Sequence, residues 1–193
     1  MSVIRVATVA DAEGILKIYQ PYIENTSITF DIEVPSVTSF EERINKFLAD
    51  WPWLVYEADG MIAGYAYASG YRERKAYQWS VECSVYVHDY FQREGVALDL
   101  YKALFQILKK QGFRNVYAVI NLPNKNSVAF HESFGFTYFA TYEQVGYKLG
   151  KWKNVGWWRL VINEFNNEPE PPIPFAALDK EILPGIFQEF TKK

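Results

Sequence analysis

With 193 residues, 49 % of them apolar, the chain has room for one domain with a sizeable core and is too short for two. A net charge of −3, with no basic run longer than pairs such as Lys109–Lys110 and Lys192–Lys193, excludes the electrostatic footprint of a nucleic-acid binder. The single Cys83 excludes an intramolecular disulfide and a cysteine-based metal site, and two isolated histidines give no metal-ligand spacing.

The N-terminal residues lack a signal-peptide pattern, and no apolar run nears the roughly 20 residues that span a bilayer. The expected setting is therefore soluble and cytoplasmic, with no membrane partner. Aromatic residues make up 18 % of the chain, more rings than one small core readily holds, which points to a binding groove or a homodimer. Trp152, Trp157 and Trp158 are the rings expected at such a surface.

In chain order, Val3 to Ala7 reads as a strand, and Thr8 with Asp11 reads as the capping box of a first helix. Ile15, Ile18, Tyr19 and Tyr22 form its apolar stripe, and Pro21 is expected to end or kink it. Thr26 to Phe30 reads as a loop or short extended piece. A second helix is expected from about Ser39, burying Phe40, Ile44, Phe47 and Leu48.

Trp53 to Ala58, the turn Asp59–Gly60 and Met61 to Ala68 form the clearest hairpin. A polar loop, Ser69 to Lys75, leads to a strand from Tyr77 to His88. The strongest helical pattern follows, with Ala97, Leu100, Tyr101, Leu104, Phe105 and Leu108 on one face and Gly112 as its stop. Val116 to Ile120 is a strand and Asn124 to Phe134 a short helix. Gly135–Phe136 opens the last strands, which include Val155 to Ile162.

Helices and strands thus alternate in an α/β (α+β) order around one mixed sheet. Residues 1–165 form the domain. Residues 166–193 form a proline-rich tail expected to pack on the domain or on a partner subunit.

The chemistry concentrates where the strand meets the strongest helix. Gln92, Arg93, Glu94, Gly95, Val96 and Ala97 open that helix, whose first N–H groups lack intrahelical acceptors. Small residues there let an anion approach the backbone, so the turn is either a pyrophosphate cradle or an ordinary strand-to-helix turn. Glu82 interrupts an apolar strand, alternating with Val81 and Cys83. On the residues alone it is either a carboxylate on a solvated face or a functional acid–base group.

Two segments carry a family resemblance. Gln92-Arg93-Glu94-Gly95-Val96-Ala97 is followed by Asn124-Lys125-Asn126-Ser127 and then His131-Glu132-Ser133-Phe134-Gly135-Phe136. This order resembles the GCN5-related N-acetyltransferase (GNAT) superfamily. Trp51 to Val55, Ala76 to Val87, Ala118 to Asn124 and Val145 to Trp158 are similar, more narrowly, to phosphinothricin and methionine-sulfoximine acetyltransferases.

The resemblance implies a strongly twisted mixed sheet with helices on both faces and two parallel strands splayed to admit acetyl-CoA. Its pantetheine arm would pair with the strand edge at Val85, Tyr86 and Val87. The amides of Gln92 to Ala97 would hold the pyrophosphate, and Asn124 and Ser127 would face the cosubstrate from the other side. Glu82 matches the family's proposed base, and His131 stands where the family places a group that protonates the departing thiolate.

Phe30, Tyr71, Tyr77 and Trp79 are expected to wall the pocket of a small amino-acid-like substrate, with Arg72 binding its carboxylate. The implied reaction is direct acetyl transfer in a ternary complex, without a metal. The alternatives are a GNAT enzyme for another amine (a polyamine, an aminoglycoside or a protein N-terminus) and a non-catalytic acyl-CoA-binding module. His88 and Cys83 read as structural.

Overall fold

The structure, a computed structural model, describes residues 2–191; Met1 and the Lys192–Lys193 pair lie outside them. The strands are β1 (Ser2–Val6), β2 (Trp53–Ala58), β3 (Met61–Gly70), β4 (Ser80–Val87), β5 (Asn115–Leu122), β6 (Thr137–Lys148) and β7 (Lys151–Val161). They form one sheet in the order β1-β2-β3-β4-β5-β7-β6, and only the β4–β5 pair is parallel. The helices are α1 (Ala12–Asn25), α2 (Val37–Asp50), α3 (Val96–Gln111), α4 (Lys125–Ser133) and α5 (Ile182–Gln188).

Alternation in the strands explains the layering. Trp53, Val55, Tyr65, Tyr67 and Tyr86 face α1 and α2, where they bury Ile15, Tyr19, Phe40 and Ile44. Leu54, Ala66, Val81, Cys83 and Val116 face α3, where they bury Leu100, Leu104 and Ile107. The β2–β3 turn at Asp59–Gly60 has φ of 51° and 76°, the paired left-handed conformation that Asp-Gly adopts readily between strands.

Gly64 of β3 lets α3 approach the sheet: a β-carbon there would sit 2.8 Å from Val96 Cγ1 and 2.9 Å from the Tyr86 carbonyl oxygen. Gly64→Val is therefore expected to cost about 1–3 kcal/mol, read as a lower unfolding midpoint with the start of α3 displaced.

Several sequence expectations are corrected. Pro21 does not end α1, which runs on to Asn25 because Ile23 is buried and the Tyr22 hydroxyl donates to the Val87 carbonyl, 2.8 Å away. The second helix starts earlier than Ser39. Ser36 has extended backbone angles, and its Oγ accepts from the Ser39 amide at 3.1 Å, so Ser36 is the cap. Tyr77 lies in a 3₁₀ turn, Lys75–Tyr77, and the strand begins only at Ser80.

Trp158 is not a surface ring. It is 4 % exposed, with its indole N–H directed to Glu132 Oε1 at 3.1 Å, because alternation along β7 turns it toward the core. Trp152 is 63 % exposed.

The tail crosses the end of α3. Ile173 and Gln111 exchange two hydrogen bonds of 2.8 Å, and Trp79 Nε1 donates to the Glu170 carbonyl at 2.8 Å. Trp79 therefore fastens the tail with the polar edge expected to help wall the substrate pocket. Beyond Pro174 the chain turns back, and Phe175, Leu178, Leu183, Ile186 and Phe190 are buried in the same core as Ile4, Leu104 and Leu108. No helix among the described residues is long and apolar enough to cross a membrane.

Candidate active site

The sheet opens at its one parallel junction. β4 and β5 pair only at Ser80/Asn115, Val81/Val116 and Glu82/Tyr117, after which β5 pairs with β7 alone. The gap is a cleft of about 350 Å³ lined by Cys83 to Val87 on one side and by Val119, Asn124, Ser127 and His131 on the other.

Register decides which backbone groups face the gap. The bond from His88 N to Ala63 O makes Gly64/Val87 a non-hydrogen-bonded pair, so Val87, Val85 and Cys83 turn their N–H and C=O toward the cleft. Tyr86 turns its backbone to β3 and contributes only its buried ring. Of the three residues expected to offer a strand edge, the backbone thus presents Val85 and Val87. The Val87 carbonyl already accepts from Tyr22.

At the mouth of the cleft the chain enters α3 through two left-handed residues, Arg93 (φ 67°) and Gly95 (φ 84°). Such alternation curls the backbone into a concavity of N–H groups, and the free amides of the first helical turn lie next to it. An adjoining cavity of about 580 Å³ is lined by Gln92, Arg93, Gly95, Val96 and Ala97. Glu94 lines neither cavity, and its amide turns back to the Phe91 carbonyl at 3.4 Å. His88 caps the preceding 3₁₀ turn, accepting from the Tyr90 amide.

Glu82 stands on the last rung before the strands part. Burial pushes its carboxyl up to about 7, against a smaller opposing pull from the Arg72 charge. On that face Tyr71 stacks on Tyr117 with centroids 4.5 Å apart and meets Trp157 and Tyr77 edge-on. The Arg72 guanidinium lies 5.1 Å from the Tyr71 centroid and 6.0 Å from that of Tyr77. The structure thus gathers Tyr71, Arg72 and Tyr77.

It does not bring Phe30 to them. That ring packs on Gly146 of β6, and among the described residues no ring contact joins it to Tyr71 or Tyr77. The adjacent Thr29 is held by Lys148, whose Nζ donates to its carbonyl at 2.8 Å. Tyr117, read from sequence only as a strand residue, and Trp157, read as a surface ring, were not foreseen as members of this cluster.

Across the cleft, Asn124 caps α4 by accepting from the Ser127 amide at 3.1 Å. His131 is 6 % exposed, with Nδ1 2.7 Å from the Ser127 carbonyl and Nε2 3.2 Å from the Tyr101 hydroxyl. Burial holds its pKa below the ordinary histidine value, so the ring is neutral at pH 7. Tyr101, read from sequence as a core residue of the α3 stripe, also lines the cleft.

A carboxylate poised near neutrality, beside a slot with open strand amides and an anion-ready helix start, suits deprotonation of an amine next to an extended anionic ligand. Comparison with known proteins agrees. The model of an acetyltransferase (GNAT) domain matches residues 4–157. A phosphinothricin N-acetyltransferase of Streptomyces viridochromogenes is 40 % identical over 171 residues, covering 89 % of this chain and 91 % of its own. An L-methionine sulfoximine/L-methionine sulfone acetyltransferase of Salmonella typhimurium is 30 % identical, over 83 % of this chain and 95 % of its own.

The crystal structure of a GNAT superfamily phosphinothricin acetyltransferase from Sinorhizobium meliloti, in complex with acetyl-CoA, superposes with a TM-score of 0.82 at 26 % identity. It covers 90 % of this chain and 98 % of that one. With the splayed strands, the helix-opening turn and the match over most of its length, the chain belongs to the GNAT family of acetyltransferases.

Proposed function

We propose that the protein moves the acetyl group of acetyl-CoA to the amino group of a small amino-acid-like substrate of the phosphinothricin, methionine sulfoximine or methionine sulfone type. The observation that carries this reading is Glu82, shifted to about 7 on the last rung before the cleft. The substrates named for the relatives support it.

The residues present fit acetyl-CoA. The inward-turned groups of Cys83, Val85 and Val87 suit an amide-bearing arm, and the turn Gln92–Ala97 suits a pyrophosphate. Asn124 and Ser127 border the arm from α4. Bound there, acetyl-CoA supplies the activated acetyl group.

Glu82 takes a proton from the substrate ammonium, directly or through water, so that the neutral amine attacks. Arg72, exposed on its loop beside Tyr71 and Tyr77, binds the substrate carboxylate and holds the amine toward Glu82. Transfer is direct within the ternary complex. The protein works in the cytoplasm as a homodimer, a reading supported by exposed Tyr147, Leu149 and Trp152 on the β6–β7 hairpin.

The test is thiol release from acetyl-CoA with a panel of amines: phosphinothricin, methionine sulfoximine, methionine sulfone, common amino acids and a polyamine. Turnover confined to the amino-acid analogues, with KM for the amine raised about tenfold or more in Arg72→Gln, is the expected result. Preference for the polyamine, or no release from any amine, overturns it.

A further inference from the structure

The hydrogen bonds around His131 fix where its proton is. The Ser127 carbonyl oxygen can only accept, and at 2.7 Å it is too close to be facing a ring carbon, so Nδ1 carries the hydrogen. A neutral ring has one N–H, which leaves Nε2 bare. The partner of Nε2, the Tyr101 hydroxyl at 3.2 Å, must therefore be the donor in that pair. Both ring nitrogens are thus taken: Nδ1 by the Ser127 carbonyl, with the Ser127 hydroxyl oxygen also 3.3 Å away, and Nε2 by Tyr101. The only proton His131 holds points along its own helix.

Tyr101 is differently placed. It lines the cleft together with Cys83 and His131, near the end where β4 and β5 meet, about one and a half turns along α3 from the anion-ready turn. Cys83 of β4 shares with it both the core beneath α3 and the cleft lining. Burial holds the phenol well above its ordinary pKa, so it remains an O–H donor throughout the working pH range.

We propose that the Tyr101 hydroxyl is the hydrogen-bond donor met by the sulfur as it departs, and that His131 is a positioning residue which accepts from Tyr101 through Nε2 rather than the acid that protonates the thiolate. The inference rests on the acetyl-transfer reading above. As the C–S bond breaks, its electron pair stays on sulfur and the Tyr101 O–H turns from Nε2 to that sulfur without giving up its proton. Of the two protons that the substrate ammonium loses, the first goes to Glu82. The second passes from the newly bonded nitrogen to the sulfur, giving neutral amide and free thiol. His131 changes protonation at no step.

The first test needs no turnover. In protein labelled with ¹⁵N-histidine, long-range ¹H–¹⁵N correlation of the ligand-free wild type is expected to show His131 as the Nδ1–H tautomer, assigned by its loss in His131→Gln. An Nε2–H tautomer, or an imidazolium at pH 7, overturns the inference.

The second test is a substitution series. Tyr101→Phe and His131→Ala are each expected to lower kcat about 10²-fold, with KM for acetyl-CoA changed less than about twofold. His131→Gln, whose Oε1 can accept from Tyr101 but cannot titrate, is expected to stay within roughly fivefold of wild type. Wild-type kcat in Tyr101→Phe, or a His131→Gln variant as impaired as His131→Ala, overturns it. Absence of turnover by the wild type on every amine would instead sink the functional reading and leave the tautomer result standing.

Discussion

Glu82→Gln is expected to lower kcat/KM about 10³-fold at pH 8, with acetyl-CoA affinity changed less than about twofold. Glutamine keeps the size and a hydrogen-bonding oxygen but cannot take the ammonium proton, so the loss falls on the chemical step. The wild-type rate should depend on the ionised carboxylate. It is then flat above the Glu82 midpoint of about 7 and falls tenfold per pH unit below it. Removing the Arg72 charge, which favours the ionised form, moves that midpoint upward.

The same burial has an opposite effect on stability. Glu82 holds its proton up to about 7 in the folded protein, whereas in the unfolded chain it loses it near its ordinary value of 4.5. Between those values the folded state binds the extra proton, so rising pH favours unfolding, and above about 7 the whole cost is present. Glu82→Gln should therefore raise the unfolding midpoint at pH 8 and leave it unchanged at pH 4. The gain is about 1–3 kcal/mol once partial exposure of the carboxylate is allowed for. A variant that loses both activity and stability at pH 8 would contradict this account of Glu82.

Removing residues 172–193 is expected to abolish soluble, cooperative folding. Phe175, Leu178, Leu183, Ile186 and Phe190 close one face of the main core. At about 1.5–3 kcal/mol for each large side chain buried, their loss rivals the 5–15 kcal/mol by which a whole domain is stable. The milder Phe175→Ala should cost about 3–5 kcal/mol, seen as a shift in denaturant midpoint with cooperative unfolding retained. A truncated chain that melts like the full one would show the tail to be an accessory.

Much of the framework was legible because local chemistry and tertiary packing agree there. Asp59–Gly60 needs left-handed backbone, Gly112 stops α3 with φ 91°, and strict alternation orients β4. The start of α2 was hidden because Ser36 and Ser39 are both competent caps, and only backbone angles choose between them. Pro21 misled because its missing hydrogen bond is outweighed by the burial of Ile23.

In the site, Glu82 stood out as a charge in an apolar strand. Tyr101 did not, since a tyrosine in a helical stripe reads as core, and its ring is indeed 1 % exposed. What placed its hydroxyl was the facing of α3 and α4, which no local pattern encodes. The packing of Phe30 was hidden for the same reason: it rests on Gly146 of the distant β6.

The unfinished β4–β5 ladder bears on how the protein would respond to its surroundings. Most of what the cleft offers, the strand amides and the helix-opening turn, lies away from the acetyl carbon. Free CoA, the spent product, carries the same arm and the same pyrophosphate, so it fills those places nearly as well. On the proposed function, donor and product then compete for one slot, and turnover follows the ratio of acetylated to free CoA more closely than the amount of either.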